Sequence, residues 1–309
     1  MLRIDQNKER PGEDTAVAIG TFDGMHRGHQ QILWRLKQAA SRQGLATAVY
    51  TFSGIPGAVL GKKTGALFTK SEKQAAFAAQ GIDYLWMQKF TRELADMPAE
   101  AFVDFLLSAL RARVIVVGYN NTFGKDARGT PRFLQEYAGA RGAKVYIEKP
   151  VEWEGEPVSS TRIRELLLHG EPARAAQLLG EPYAFHARVE HGKRLGRTIG
   201  FPTVNFYVPE GKLCPKRGVY ISSVEYRGRK YAGITNIGMR PTVDDGDTVN
   251  IESHMIGFAG DIYGEEVCVR LFQYLRGEVK FQNVEGLRHQ LSEDREGALS
   301  FFQKGKSMR

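Results

Sequence analysis

Cysteine is scarce in this chain: two of 309 residues, Cys214 and Cys268. Their spacing supports neither a disulfide framework nor a cysteine metal cluster. No run of about 18 apolar residues occurs, which argues against a membrane-spanning helix. The opening stretch, MLRIDQNKERPGED, is polar and lacks the apolar core of a secretory signal. A cytoplasmic location is the default expectation. No block of five or more like charges is present, although Lys and Arg outnumber Asp and Glu by 43 to 35 and the net charge is +8. Scattered basic residues suit anionic small molecules such as nucleotides better than a nucleic-acid tract. Neither nucleic acid nor membrane is expected as a partner, and oligomerisation is left open. What is there is ordinary globular composition, 42% hydrophobic and 25% charged, in a chain long enough for two domains.

The most informative stretch is Ala16–His29, AVAIGTFDGMHRGH. Ala16–Ile19 reads as a short buried strand. A connection bearing Gly20, Gly24 and Gly28 follows. Ile32, Leu33, Leu36 and Ala39–Ala40 then recur at helical spacing. A strand, a glycine loop and a helix start make a phosphate cradle, because the first backbone N–H groups of a helix are unpaired and lie at its positive end. His26 and His29 lie in the connection and can donate to phosphate oxygens.

Strand-like and helix-like segments alternate up to about residue 150, which predicts an open, mostly parallel sheet with crossover helices. Ligands of such sheets bind beyond the carboxyl ends of the strands. The loops after Ile19, Phe52 and Val117 should therefore share one cleft. Ser159–His169, SSTRIRELLLH, starts a helix, and Arg162 and Arg164 in its first turn oppose the helix dipole. From Ala184 onward, six short alternating segments predict an antiparallel barrel or sandwich, with a final helix over 284–302. The domain boundary is expected near residue 182, giving domains 1–182 and 183–309.

The second half carries its own candidates. Gly192–Asn205, GKRLGRTIGFPTVN, combines Gly192, Gly196 and Gly200 with Lys193 and Arg197. Glycines let backbone approach phosphate closely. Thr203 and Asn205 alternate across one residue, so both point to one side of a strand, where a hydroxyl and an amide oxygen can hold Mg²⁺. Glu252 and His254 share another strand face, and Glu252 is a candidate general base. Asn236 lies in the polar loop NIGMRPT. Arg276 and Glu278, in LRGEVKF, read either as a surface ion pair or as binding-site lining.

Together these stretches resemble the bacterial bifunctional riboflavin kinase/FMN adenylyltransferase family, in its order and over nearly the whole chain. GTFDGMHRGH resembles its HxGH motif and SSTRIR its second nucleotide-binding motif. GKRLGRTIGFPTVN, NIGMRPT, IESHMIGFAGDIYG and LRGEVKF resemble the kinase signatures. The resemblance implies an α/β Rossmann-like nucleotidyltransferase domain, then an all-β Greek-key flavokinase barrel with a C-terminal helix. It implies ATP as co-substrate, riboflavin, FMN and FAD as substrates and products, and Mg²⁺. In the first domain it assigns His26 and His29 to the transferring phosphate, and Gly20, Phe22, Asp23, Gly28, Asn120, Ser160, Thr161 and Arg164 to the nucleotide. In the second it assigns Gly192, Lys193, Gly196, Arg197 and Gly200 to ATP, Thr203 and Asn205 to Mg²⁺, Glu252 as base, and Asn236, Arg276 and Glu278 to flavin.

Two loops depart from that pattern. Phe52–Pro56 reads FSGIP where the family usually has Phe-x-Pro-His-Pro, so Gly54 and Ile55 replace Pro and His. Gly118–Gly124 reads GYNNTFG, with Asn121 in place of an aromatic. Both loops are expected on the flavin side of the adenylylation cleft. They define the alternative reading: a riboflavin kinase whose first domain is altered, weak or regulatory in FMN adenylylation.

Overall fold

The computed structural model describes residues 2–4, 10–55, 57, 65–190, 201–240 and 248–304. The chain divides into two compact units, Met1–Ser160 and Thr161–Arg309.

The first unit holds a six-stranded sheet in the order β1-β4-β3-β2-β5-β6, with every pairing parallel. Its strands are β1 (Leu2–Ile4), β2 (Thr15–Ile19), β3 (Ala46–Phe52), β4 (Tyr84–Gln88), β5 (Ala112–Gly118) and β6 (Lys144–Glu148). Helices cover both faces, which is why the central strands read as nearly unbroken apolar runs. Val17, Ile19, Ala48, Tyr50, Ile115 and Val117 pack with Phe102, Val103 and Leu106 of one helix (Ala99–Ala109) and Leu134 and Ala138 of another (Pro131–Gly139). The alternate residues Ala16, Ala18, Val49, Val114 and Val116 pack with Ile32, Leu33 and Leu36 of α1 (Arg27–Gln43) and Phe77 of α2 (Lys70–Ala79). Strand β2 pairs β3 on one side and β5 on the other. The sheet's order therefore reverses at β2, and the loops after β2, β3 and β5 leave the same edge side by side.

Thr69 caps α2 through a reciprocal capping box with Glu72, as the threonine before that apolar run predicts. The hairpin of β7 (Glu152–Trp153) and β8 (Glu156–Pro157) and the helix Pro172–Leu179 go beyond the sequence-based expectations. That helix carried its signals openly, with proline in its first turn and Gly180 as a left-handed C-cap.

The second unit holds an antiparallel six-stranded sheet in the order β10-β13-β12-β11-β14-β9. Its strands are β9 (Ala184–Arg188), β10 (Thr203–Tyr207), β11 (Gly218–Tyr226), β12 (Arg229–Arg240), β13 (Thr248–Met255) and β14 (Glu266–Arg276). A bridge between Glu190 and Asn205 brings the two ends together and makes a nearly closed barrel. The final helix, Val284–Gln303, covers the outer residues Val219, Ile221 and Ile234 through Ala298, Phe301 and Phe302. Among the described residues, no helix is long and apolar enough to cross a membrane.

Candidate active sites

The first site lies at the C-terminal edge of β2, where the connection to α1 is tightly wound. Phe22 and Met25 take positive φ angles of 47° and 44°. Such backbone is held only where surroundings over-determine it. Here Phe22 is fully buried between His29 and Phe77, at ring-centroid distances of 5.1 and 5.3 Å. Close packing explains two glycines. A Cβ on Gly20 would lie 3.1 Å from the Phe22 ring, and one on Gly28 would lie 3.2 Å from His26 Cε1.

Asp23 is buried, and its carboxylate accepts from the backbone N–H of Leu67 and Phe68 at 3.1 and 3.0 Å. Its carbonyl accepts from Ser160 Oγ at 2.9 Å. Asp23 thus fixes the cradle to two distant segments.

His26 caps α1: its Nδ1 accepts from the His29 backbone N–H at 3.4 Å. The two imidazoles stack at 3.6 Å with 19° between their planes. Burial pulls the His29 pKa well below the usual histidine value, and the positive potentials of His26 and Lys73 push the same way. His29 is therefore disfavoured as a cation, and an incoming anion reverses that bias. Among the described residues, His29 Nδ1 is a buried polar atom with no hydrogen-bond partner.

Asn120 is exposed in the turn after β5, with its Oδ1 beside Gly118. Thr161 is exposed and Arg164 half-buried in the first turn of the helix Ser160–His169. Gly54 and Ile55 lie just past the end of β3, neither of them buried.

The second site is a row across three strands. Asn205 of β10 stands opposite Glu252 of β13, which stands opposite Asn236 of β12. One residue pair along, Thr203, His254 and Ile234 form the next row. Alternation therefore puts Thr203, Asn205, Glu252, His254 and Asn236 on one face. Asn205 Nδ2 donates to Thr203 Oγ1 at 3.1 Å. Asn250, two residues before Glu252, is the member that sequence reasoning missed. Its Nδ2 donates to Glu252 Oε1 at 2.8 Å and reaches Asn205 Oδ1 at 3.4 Å. An i, i+2 polar pair on a strand was its only signal in the sequence. His254 Nδ1 bonds the Pro202 carbonyl at 2.9 Å, and burial lowers its pKa against that bond.

Asn236 Oδ1 is buried and lacks a partner among the described residues. Glu278 is exposed beyond β14, and its carboxylate occupies the place a Cβ on Gly238 would take. Arg276 is engaged elsewhere: its Nη2 and Nε meet the buried Asp294 carboxylate of the final helix at 2.7 and 3.2 Å. Gly192, Lys193, Gly196, Arg197 and Gly200 lie outside the described residues, as do Pro56 and Pro241.

Comparison with known proteins bears on both sites. A family model described as FAD synthetase matches residues 8–162, and one described as Riboflavin kinase matches residues 179–302. A protein of Listeria monocytogenes named Bifunctional riboflavin kinase/FMN adenylyltransferase is 38% identical, covering 93% of this chain and 92% of its own. The chain belongs to the bifunctional riboflavin kinase/FMN adenylyltransferase family. A like-named protein of Pseudomonas fluorescens is 36% identical over 92% of both chains. A solved structure named Macrolide-efflux Protein from Streptococcus pneumoniae superposes with a TM-score of 0.87 at 32% identity, covering 96% of this chain and 98% of that one. The FAD synthetase match runs through the FSGIP loop, so that departure does not take the first unit out of the adenylyltransferase family. The altered-domain alternative is not favoured.

Proposed function

We propose that this chain converts riboflavin to FMN in its second unit and FMN to FAD in its first, with ATP as donor in both steps. The observation that carries the reading is that each unit holds its own phosphate-handling set: the stacked His26–His29 pair at the start of α1, and the Asn205–Glu252–Asn236 row of the barrel. The functional division is placed at residue 182, just before the first barrel strand.

In adenylyl transfer, an FMN phosphate oxygen attacks the α-phosphorus of ATP and pyrophosphate leaves. The start of α1 supplies backbone donors, and His26 and His29 supply side-chain donors where charge accumulates. Gly20, Phe22, Asp23 and Gly28 shape the cradle. Asn120 and Ser160 complete the nucleotide contacts of the first unit, and the resemblance assigns Thr161 and Arg164 of the same motif to the nucleotide as well. Positioning and electrostatics suffice, and no covalent enzyme intermediate is required.

In the kinase step, Glu252 takes the proton of the terminal ribityl hydroxyl as that oxygen attacks the γ-phosphorus of ATP and ADP leaves. Asn250 orients the Glu252 carboxylate. Thr203 Oγ1 and Asn205 Oδ1 are hard oxygen donors on one strand face and would hold Mg²⁺, which takes few protein ligands beside phosphate. When bound, Mg²⁺ would neutralise charge on the transferring phosphate. Asn236 and Glu278 bind the flavin, and Arg276 holds the end of β14 through Asp294. Gly192, Lys193, Gly196, Arg197 and Gly200 cover the ATP phosphates. A cytoplasmic setting, where ATP is supplied, fits these reactions, and neither step calls for a nucleic-acid or membrane partner.

The test is to incubate the protein with riboflavin, ATP and Mg²⁺ and to separate the flavins by chromatography. FMN followed by FAD is expected. FMN without FAD, even when FMN is supplied directly, would remove the adenylylation half, and no FMN at all would remove the kinase half.

A further inference from the structure

Lys73 lies in the first turn of α2, yet its side chain points inward and only 3% of the residue is exposed. An isolated buried ammonium is costly unless paired and hydrogen-bonded. This one donates to two backbone carbonyls, Thr21 O and Phe52 O, each at 2.8 Å. Thr21 directly precedes Phe22–Asp23 of the nucleotide cradle. Phe52 ends β3 and directly precedes Ser53–Gly54–Ile55, on the side expected to receive the acceptor. Thr51 Oγ1 adds a second bond to Thr21 O, at 3.1 Å. One ammonium therefore ties together the two loops that leave neighbouring parallel strands.

The groups around it share the load. Burial lowers the Lys73 pKa to about 8, and the Asp23 carboxylate acts in the opposite direction. Asp23 in turn holds the segment just before α2 through Leu67 and Phe68. The cation also contributes to the positive potential at His29. A helix merely packing on the sheet needs none of this; an apolar side chain like Phe77 does that work one turn later.

We propose that Lys73 is a positioning residue for adenylyl transfer, setting the distance between the nucleotide cradle and the acceptor loop. It touches no reacting atom. The inference rests on reading the first unit as an FMN adenylyltransferase. Displacing two bound reactants relative to one another lowers turnover more than it lowers the affinity for either.

The test uses the full chain, with FMN and ATP as substrates. Lys73→Met keeps length and apolar bulk but loses every donor. The expected result is a fall in kcat for FAD formation of about tenfold or more, with KM for ATP and FMN each within about threefold. FMN formation from riboflavin, catalysed by the other unit of the same chain, should be unchanged and serves as the internal control. Tryptophan fluorescence verifies that the first unit is folded. Thr51→Val, a near-isosteric change, should lower kcat by about two- to fivefold with KM unchanged.

A folded Lys73→Met protein with wild-type kcat would overturn the proposal, as would a rate loss that only tracks the unfolded fraction. If Lys73→Met does not fold, Thr51→Val decides: unchanged kcat overturns the proposal. Failure of the wild-type chain to make any FAD would instead overturn the underlying reading.

Discussion

At the scale of single residues, the two sites make opposite demands on their key side chains. Glu252 must be a base, so it needs a carboxylate that is oriented but still able to accept a proton. Asn250 orients it with one hydrogen bond at 2.8 Å. Glu252→Gln keeps the shape and removes the base. FMN formation should drop by about 10²- to 10⁴-fold, while FMN supplied directly is still converted to FAD. Loss of both activities would mean misassignment or unfolding. His29 must offer a donor to phosphate while buried, and its stack on His26 holds it there without a partner at Nδ1. His29→Ala should lower FAD formation by about 10²- to 10³-fold and leave FMN formation intact. An unchanged FAD rate would remove His29 from the mechanism. Chromatography of the three flavins reads both variants in one assay.

At the scale of elements, the end of β14 presents Arg276 and Glu278, and its geometry depends on Gly218. Gly218 has φ of +137°, and a Cβ there would collide with the Arg276 carbonyl and lie 2.8 Å from Tyr274 ring and hydroxyl atoms. The first obstacle is backbone, so it cannot swing aside. Gly218→Ala should destabilise the second unit by about 2–3 kcal/mol and reduce FMN formation from riboflavin, with FAD formation from FMN kept. Equal loss of both activities would argue that the strand end is not local to the kinase site.

Element patterns were also what the sequence displayed best. The unbroken apolar run of β2 and the period-2 run of β13 are legible because buried faces impose them. The site was legible where a motif is contiguous, as at Gly20–His29. It was not legible where contacts are long-range. Asp23 capping Leu67 and Phe68, Lys73 reaching Thr21 and Phe52, and Arg276 pairing with Asp294 each join residues 18 to 52 positions apart. No spacing rule encodes such pairs. Arg276 reads either as half of a surface ion pair or as site lining, because its local sequence cannot reveal the buried Asp294 carboxylate on the final helix.

At the scale of the whole chain, the first unit's stability should depend on pH in a way Lys73 dictates. An ordinary lysine titrates near 10.5, whereas burial brings Lys73 down to about 8. Between those values the unfolded chain binds a proton that the folded chain has released. Stability therefore rises with pH across that window, by about 2 kcal/mol up to pH 10. Tyr50 then takes over. Burial raises its phenol above the usual 10.0, so the stability it contributes below pH 10 is lost as pH rises further. The two contributions therefore run in opposite directions on either side of pH 10. Tyr220, raised by burial and then by Tyr274 and Cys214, adds a falling limb of the same kind to the second unit. The units can be read apart, because all three tryptophans, Trp34, Trp86 and Trp153, belong to the first. Urea unfolding followed by tryptophan fluorescence should show the midpoint moving up by about 1 M between pH 7.5 and 10, given a slope of about 2 kcal/mol/M. Lys73→Met should abolish that rise, and every other titrating group is common to both proteins. Wild-type and variant midpoints that change in parallel with pH would mean that folding does not depress Lys73, and that its ammonium is as well served by Thr21 and Phe52 as by water.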